Sequence, residues 1–221
     1  MSIYTDPDYS TAAIITIDVQ HDTLDGQPFE IPGTSAILPQ IQAILTNARV
    51  FNFPIIHVVR IYKSDGSNVD LCRRDLIEKN ASLVLENTHG CEIADELLPN
   101  KTIKLDTSLL LAGEIQIITP SEVIIYKSRW GAFYQTPLDN YLKHLNISTL
   151  IFTGCNFPNC PRASIYEASE RDYKIVLVQD AISGLYNQGL KEMNNIGVTV
   201  LSSQEIISIL QNQNILQQTA G

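Results

Sequence analysis

A cysteine stands between a predicted strand and a predicted helix. Cys160 follows the apolar run at residues 149–153, the break at Gly154 and a short loop, and a helix is predicted to begin near Pro161. The unpaired amides and the positive dipole end of a helix N-terminus favour a thiolate over a thiol. The position therefore predicts that Cys160 is a catalytic nucleophile.

Two charged residues end predicted strands elsewhere in the chain. Asp18 lies at the end of the apolar run 11–19, and Lys127 follows the run 122–126. The carboxyl ends of parallel strands share one edge of a sheet, so we expect Asp18, Lys127 and Cys160 to converge there. Lys127 and the helix amides would then lower the pKa of the thiol, and Asp18 would carry its proton.

Such a constellation predicts nucleophilic attack on a planar carbonyl carbon. The thiolate of Cys160 would form a thioester and release an amine, which Asp18 would protonate before activating water. Backbone amides near Asn156 and Cys160 would hold the negative charge that develops on the oxygen.

Apolar runs and helical periodicities alternate along most of the chain. This alternation predicts the α/β class, as a three-layer α/β/α sandwich around a mostly parallel six-stranded sheet. We expect one domain over residues 1–221, interrupted by an irregular excursion at about 62–120 that builds site walls, a lid or subunit contacts. Within it, residues 107–118 are predicted as helix, strand or both in succession. The predicted strands are 11–19, 54–61, 122–126, 149–153, 174–178 and 197–201.

The composition of the chain excludes some classes of binding partner. The 221 residues carry a net charge of −9, which argues against nucleic acid or an anionic membrane as a main partner. The N-terminus is polar and acidic rather than a secretory signal, and four cysteines without a CxxC motif favour a reduced, cytoplasmic protein. No His and Cys share a metal-ligand spacing, so we expect neither a metal nor a cofactor. The expected partner is a small-molecule substrate.

Three motifs together resemble the isochorismatase-like cysteine hydrolases, the family of nicotinamidases and N-carbamoylsarcosine amidases. They are IITIDVQHD at 14–22, IIYKSRWGAFYQTPLDNYL at 124–142 and FTGCNFPNCPRASIYEA at 152–168. The resemblance implies that Asp18, Lys127 and Cys160 are catalytic and that the amides of Asn156 and Cys160 form the oxyanion hole. It further implies a cis peptide at Cys155–Asn156 and a homo-oligomer.

The chain also departs from that family. The small residues usual before the nucleophile are replaced by NFPN at 156–159, and Thr23 stands where an aromatic is common. The region after the second strand, HVVRIYKSDGSN, lacks the Asp-x-His metal pattern of nicotinamidases, which disfavours a metal-dependent nicotinamidase. The cysteine favours cleavage of a C–N bond over that of a vinyl ether.

Further site candidates have structural alternatives. Trp130 and Phe133 are candidates for the substrate pocket or for the core, and Asp22 for substrate binding or for orienting the loop or Lys127. Arg162 is predicted either to bind a substrate carboxylate or to form a surface ion pair.

The sequence therefore predicts a cysteine hydrolase that cleaves a C–N bond of a small amide or carbamoyl compound. The alternatives are an isochorismatase-type C–O hydrolase, a non-catalytic binding domain of the same fold, and a thiol-redox protein using Cys155 and Cys160.

Overall fold

The computed structural model describes residues 3–79 and 81–219. In these ranges one sheet holds seven strands in the order β3-β4-β2-β1-β5-β6-β7, all parallel to their neighbours except β3, which pairs antiparallel with β4. The strands are β1 Ala12–Ile17, β2 Ile55–Arg60, β3 Gln116–Thr119, β4 Glu122–Lys127, β5 Thr149–Gly154, β6 Lys174–Ile182 and β7 Thr199–Leu201.

Helices cover both faces of the sheet. Helices α1 and α7 pack in the core on one face, and α4, α5 and α6 pack in the core on the other. Within the described ranges, none of the helices combines the length and the apolar character that a membrane span requires. The helices are α1 Leu38–Val50, α2 Leu71–Glu78, α3 Thr107–Leu111, α4 Leu138–His144, α5 Cys160–Ser169, α6 Asn187–Asn195 and α7 Ser203–Thr219.

The central strands are buried on both faces, as their unbroken apolar sequences predict. All six residues of β1 are buried, with Ile14 in the core under α1 and Ile15 and Ile17 in the core under α5. A period of two along a strand sends neighbouring side chains to opposite faces, so both cores draw on the same strand. Burial of this kind fixes β1 at the centre of the sheet, where its carboxyl end faces the site.

The predicted α/β class and mostly parallel sheet are confirmed, but the strand count of six was wrong. The seventh strand is β3, a four-residue, half-exposed edge strand that follows α3, so residues 107–118 form a helix and then a strand. A short edge strand lacks the long buried apolar run by which the other strands were recognised. Strand β6 also continues to Ile182, beyond its predicted end at residue 178.

From the sequence, the C-terminal tail at residues 212–221 is predicted to fray, and the structure describes this tail only as far as Thr219. Helix α7 extends to Thr219, and residues 220–221 lie outside the described ranges.

A buried polar network ties the sheet together at the amino end of β4. The Glu122 carboxylate accepts hydrogen bonds from Arg49 Nε at 2.9 Å and Nη2 at 2.7 Å and lies 2.8 Å from His57 Nε2, while His57 Nδ1 lies 2.8 Å from Thr16 Oγ1. Burial by itself raises the pKa of Glu122, but the hydrogen bonds from Arg49 and His57 outweigh it and hold the pKa at about 2. His57 is fully buried in this network.

Candidate active site

The carboxyl edge of the sheet gathers the three groups that the sequence predicted to converge. Asp18 directly follows β1, Lys127 ends β4, and Cys160 is the first residue of α5. Lys127 Nζ donates a hydrogen bond to Asp18 Oδ2 at 2.7 Å, and the lysine side chain is completely buried. Asp18 and Lys127 both act electrostatically on the Cys160 thiol. The strand ends therefore bring an ion pair and a thiol into one site.

The backbone at Asp18 is unusual for a residue with a side chain. Its φ is +50°, in the left-handed region that aspartate adopts more readily than most residues. Its amide donates to Val58 O at 2.9 Å, which anchors the turn to β2. Asp18 Oδ1 is buried and has no hydrogen-bond partner among the described residues. That oxygen is a free acceptor inside the site.

The thiol of Cys160 is in its neutral form, contrary to the sequence expectation of a lowered pKa. Burial, and after it the negative charge of Asp18, raise the pKa from 9.0 to a net value of about 11. Lys127 and Arg60 act in the opposite direction but do not outweigh burial. The position at the helix N-terminus was read correctly, but the desolvation that accompanies it could not be read from the sequence.

The loop before the nucleophile contains only trans peptide bonds, so the expected cis peptide at Cys155–Asn156 is not present. A cis bond without proline costs about 3–4 kcal/mol, and the chain instead reverses at Gly154, whose φ is +121°. Cys155 N donates to Ile17 O and Phe157 N to Ser183 O, both at 2.8 Å, and these bonds hold the trans loop.

The two amides predicted to form an oxyanion hole line the same cavity. Asn156 and Cys160 both contribute to its wall, and neither amide donates to an acceptor in the described part of the chain. Cys160 N belongs to the first helical turn, whose amides have no intrahelical acceptor, and Asn159 provides no side-chain cap. Both amides are therefore unpaired within the described residues and belong to residues of the cavity wall.

The cavity is small. Its volume is about 240 Å³, at or below the lower end of the roughly 300–1,000 Å³ typical of ligand pockets. The irregular excursion supplies Leu83 and Val84 to the wall, and the loop after β1 supplies Phe29 and Ile31. The excursion was predicted to build the wall, whereas the contribution of the loop after β1 was missed.

Arg60 is a site residue that the sequence reading missed. It ends β2, pairs in register with Lys127, and is 3% exposed. Its Nη2 atom lies 3.9 Å from Cys160 Sγ, and its side chain lines the cavity. The signal was available, because Arg60 is a charged residue at the end of an apolar run, as Asp18 and Lys127 are.

Gln20 secures the strand end that carries Arg60. Its Nε2 donates to Arg60 O at 2.7 Å and its Oε1 accepts from Arg60 N at 2.8 Å. The same amide group donates to Cys91 O, so one buried side chain joins β2 to the excursion. The middle polar residue of the Asp-x-Gln-x-Asp segment therefore has a positioning role.

Asp22 is placed behind the cavity wall. Its Oδ2 accepts from Val84 N at 2.6 Å, and Val84, at φ +39°, lines the cavity. A side chain at Gly90 would collide with this carboxylate, so the excursion packs closely around it. Of the roles considered for Asp22, the structure supports the orientation of a loop.

The remaining candidates lie away from the cavity wall. Phe133 is buried in the core beside Tyr173, and Arg162 forms an ion pair with Glu192 on α6. Trp130 is half-buried, and the guanidinium of Arg73 lies 4.6 Å from its ring centre. The structure thus places Phe133 and Arg162 as their structural alternatives predicted, and Trp130 lies beside Arg60 and Arg73.

The fold and the site define a three-layer α/β domain with a small cavity at the carboxyl ends of parallel strands. Within that class the chain belongs to the isochorismatase family, because the family model described as Isochorismatase domain matches residues 12–205. The resemblance found in the sequence is thereby confirmed.

The chain is similar to several known proteins over most of its length. It is 26% identical to a protein of Arabidopsis thaliana named probable inactive nicotinamidase, over 86% of this chain and 91% of that protein. It is 25% identical to the N-carbamoylsarcosine amidase of an Arthrobacter species, over 90% of this chain and 70% of the amidase. The crystal structure of an isochorismatase family protein from Desulfovibrio vulgaris superposes with a TM-score of 0.77 at 28% identity, covering 91% of this chain and 98% of that one.

Proposed function

We propose that this protein is a cysteine hydrolase that cleaves a C–N bond of a small amide or carbamoyl compound, with Cys160 as nucleophile, Asp18 as general acid and base, and Lys127 as the cation that orients Asp18. The observation that carries the proposal is the 2.7 Å contact of Lys127 Nζ with Asp18 Oδ2, in the same cavity wall as Cys160, the first residue of α5. Similarity to an amidase favours C–N over C–O cleavage.

The first half-reaction begins from a protonated thiol. Asp18 Oδ1, which has no partner in the described structure, accepts the proton as Cys160 Sγ attacks the carbonyl carbon. The carbonyl electron pair moves to the oxygen, where the amides of Asn156 and Cys160 stabilise the charge. When the intermediate collapses, the C–N bond breaks, Asp18 returns its proton to the leaving nitrogen, and a thioester remains.

The second half-reaction removes the acyl group. Asp18 accepts a proton from water, the water oxygen attacks the thioester carbon, and the C–S bond breaks with return of the proton to sulfur. Lys127 remains positively charged throughout and keeps Oδ2 engaged, so that the other carboxylate oxygen handles the protons. The raised pKa suits this cycle, because a thiolate forms only when a substrate is present to react with it.

The test is an ammonia-release screen over small amides, ureides and carbamoyl amino acids, with Cys160→Ala as the blank. We expect release by the wild-type protein and none by the variant. Turnover by Cys160→Ser as fast as by wild type would contradict nucleophilic catalysis, and an undiminished rate in Asp18→Asn would contradict the proton relay.

A second candidate is a binding domain of the same fold without turnover. It is favoured by the name of the Arabidopsis relative, probable inactive nicotinamidase. It predicts that ligands bind wild type and Cys160→Ala equally and that neither releases ammonia from any of them. The predicted cytoplasmic location, homo-oligomer and single-domain organisation stay predictions.

A further inference from the structure

Two arginines, Arg60 and Arg73, line the cavity. Arg60 projects from the end of β2, and Arg73 from the first turn of α2. Their guanidinium groups share one carboxylate, since Asp70 Oδ2 lies 2.6 Å from Arg60 Nη1 and 3.4 Å from Arg73 Nη1. Tyr62 OH donates to the same oxygen at 2.6 Å. These four residues form what we call the arginine cluster.

The arginine cluster carries one uncompensated positive charge. Two guanidinium groups face one carboxylate. Burial holds the pKa of the Tyr62 phenol above its usual value although both arginines lower it, so the phenol stays neutral. The charge of Lys127 is already balanced by Asp18. Glu30 also lines the cavity, but it is exposed and accepts a hydrogen bond from Gly26 N at 2.6 Å. The deep wall of the cavity is therefore cationic.

One donor of the arginine cluster is left without an acceptor. Arg60 Nη1 is engaged by Asp70 and by Ser128 O at 3.0 Å, and Nη2 donates to Arg129 O at 2.6 Å. Arg60 Nε is buried and has no partner in the ranges that the structure describes. A buried, unpaired donor on a charged group is costly. The carboxylate oxygen Asp70 Oδ1 is likewise buried without a partner in those ranges, so the members of the arginine cluster do not fully satisfy one another.

We propose that the arginine cluster is a subsite for a carboxylate on the substrate, so that the protein acts on carbamoyl or ureido acids in preference to neutral amides. The inference rests on the proposed function and deepens it. The guanidinium groups of Arg60 and Arg73, two residues of the cavity wall, supply the donors, and the uncompensated charge supplies the selectivity for an anion. The 3.9 Å between Arg60 Nη2 and Cys160 Sγ requires a short spacer between the carboxylate and the scissile carbonyl.

The same arginine has a rival role. If Arg60 served only to stabilise the thiolate or the oxyanion, its removal would slow acids and neutral amides by the same factor. A carboxylate subsite instead changes the ratio between the two kinds of ligand, so a ratio of affinities for matched ligands separates the two roles.

The experiment measures binding by calorimetry in the Cys160→Ser background, which removes the nucleophile and keeps the cavity. The probes are two matched pairs, N-carbamoylglycine against isobutylurea and N-carbamoyl-β-alanine against isopentylurea, in which an isopropyl group replaces the carboxylate. We expect the acid of at least one pair to bind about 10- to 100-fold more tightly than its neutral partner, as one or two charge-assisted hydrogen bonds supply.

Three variants in the same background complete the test. Arg73→Gln removes the more exposed arginine and should reduce the preference for the acid, and Arg60→Lys keeps the charge but loses the planar fork and should reduce it as well. Arg74→Gln, an exposed neighbour on α2 outside the cavity wall, is the matched control and should leave the preference unchanged. Circular dichroism verifies that each variant is folded.

The outcomes separate the inference from the proposed function. An acid preference that falls in Arg73→Gln and Arg60→Lys supports the subsite even if the wild-type protein releases no ammonia. Acids that bind no better than their neutral partners in either pair, or a preference that survives both substitutions, overturn the subsite. Rapid turnover of neutral amides in that case would leave the proposed function standing alone.

Discussion

The resting thiol of Cys160 predicts an inverted reactivity pattern for the four cysteines. With a pKa of about 11 instead of 9.0, the thiolate fraction at pH 7 is about 100-fold smaller than that of an unperturbed thiol, equivalent to about 3 kcal/mol. Alkylation by iodoacetamide should therefore rise about tenfold per pH unit up to about pH 11. The exposed Cys72 should be labelled first at neutral pH.

Substitutions of the charged neighbours should move this reactivity in opposite directions. Asp18→Asn removes the negative charge that raises the pKa of Cys160, so alkylation at pH 8 should accelerate while turnover falls. Lys127→Met removes a charge that lowers the pKa, so alkylation should slow. Removing either member of the buried ion pair is also expected to destabilise the fold by about 3–5 kcal/mol.

The assay is mass spectrometry of each cysteine peptide after timed alkylation between pH 6 and pH 10. Cys72 in the same sample serves as the internal control, and circular dichroism at each pH verifies that the protein is folded. Preferential labelling of Cys160 at pH 6, or a rate that levels off below pH 8, would refute the reasoning. Because the folded pKa is raised, the same group also contributes stability that is complete below about pH 9 and lost as the pH rises towards 11.

Three further predictions concern the scaffold. Glu122→Gln removes a fully buried charge that binds Arg49 and His57, and it should lower the free energy of urea unfolding by about 3 kcal/mol. Because the pKa of Glu122 in the folded protein is about 2, its contribution to stability is complete above pH 4.5 and is lost as the pH falls towards 2. A variant whose stability in acid equals that of wild type at every pH would contradict this. Gly154→Ala would place a Cβ atom 2.3 Å from the carbonyl oxygen of Ile17 in β1 and should lower the free energy of thermal unfolding by about 3 kcal/mol or more. Gly113 also has a positive φ but has open space around it, so Gly113→Ala should lower that free energy by only about 1–2 kcal/mol. Equal losses of stability in the two variants would rule out the steric explanation. Asp22→Ala should raise KM more than it lowers kcat, because the amide of Val84 in the cavity wall loses its hydrogen-bond acceptor. Asp22→Asn keeps an acceptor oxygen and should behave like wild type. A loss confined to kcat would instead assign Asp22 to the chemical step.

The fold was largely predictable because its signals are local. Unbroken apolar runs identified six of the seven strands within a few residues, and β3 was ambiguous because a short edge strand is buried on neither side. Positions at strand ends likewise identified Asp18 and Lys127. The same criterion also selects Arg60, because it is a charged residue at the end of an apolar run, so the sequence contained the information needed to predict it.

Other features depend on neighbours that are distant in the chain. Asp22 and Val84 are 62 residues apart, and their hydrogen bond exists only because the excursion folds back over the loop after β1. The placement of Arg162 against α6 rather than in the cavity likewise follows from how two helices pack. No local pattern encodes either contact.

The sequence by itself determined the order of strands and helices and the residue types at the strand ends, because hydrophobic period and side-chain chemistry are properties of short segments. Only the tertiary structure determines how completely water is excluded from the site. Burial of Cys160 and the completely enclosed Lys127 follow from the packing of loops and both cores around them. Since desolvation outweighs the effect of the nearby cations, the thiol of Cys160 is neutral at rest.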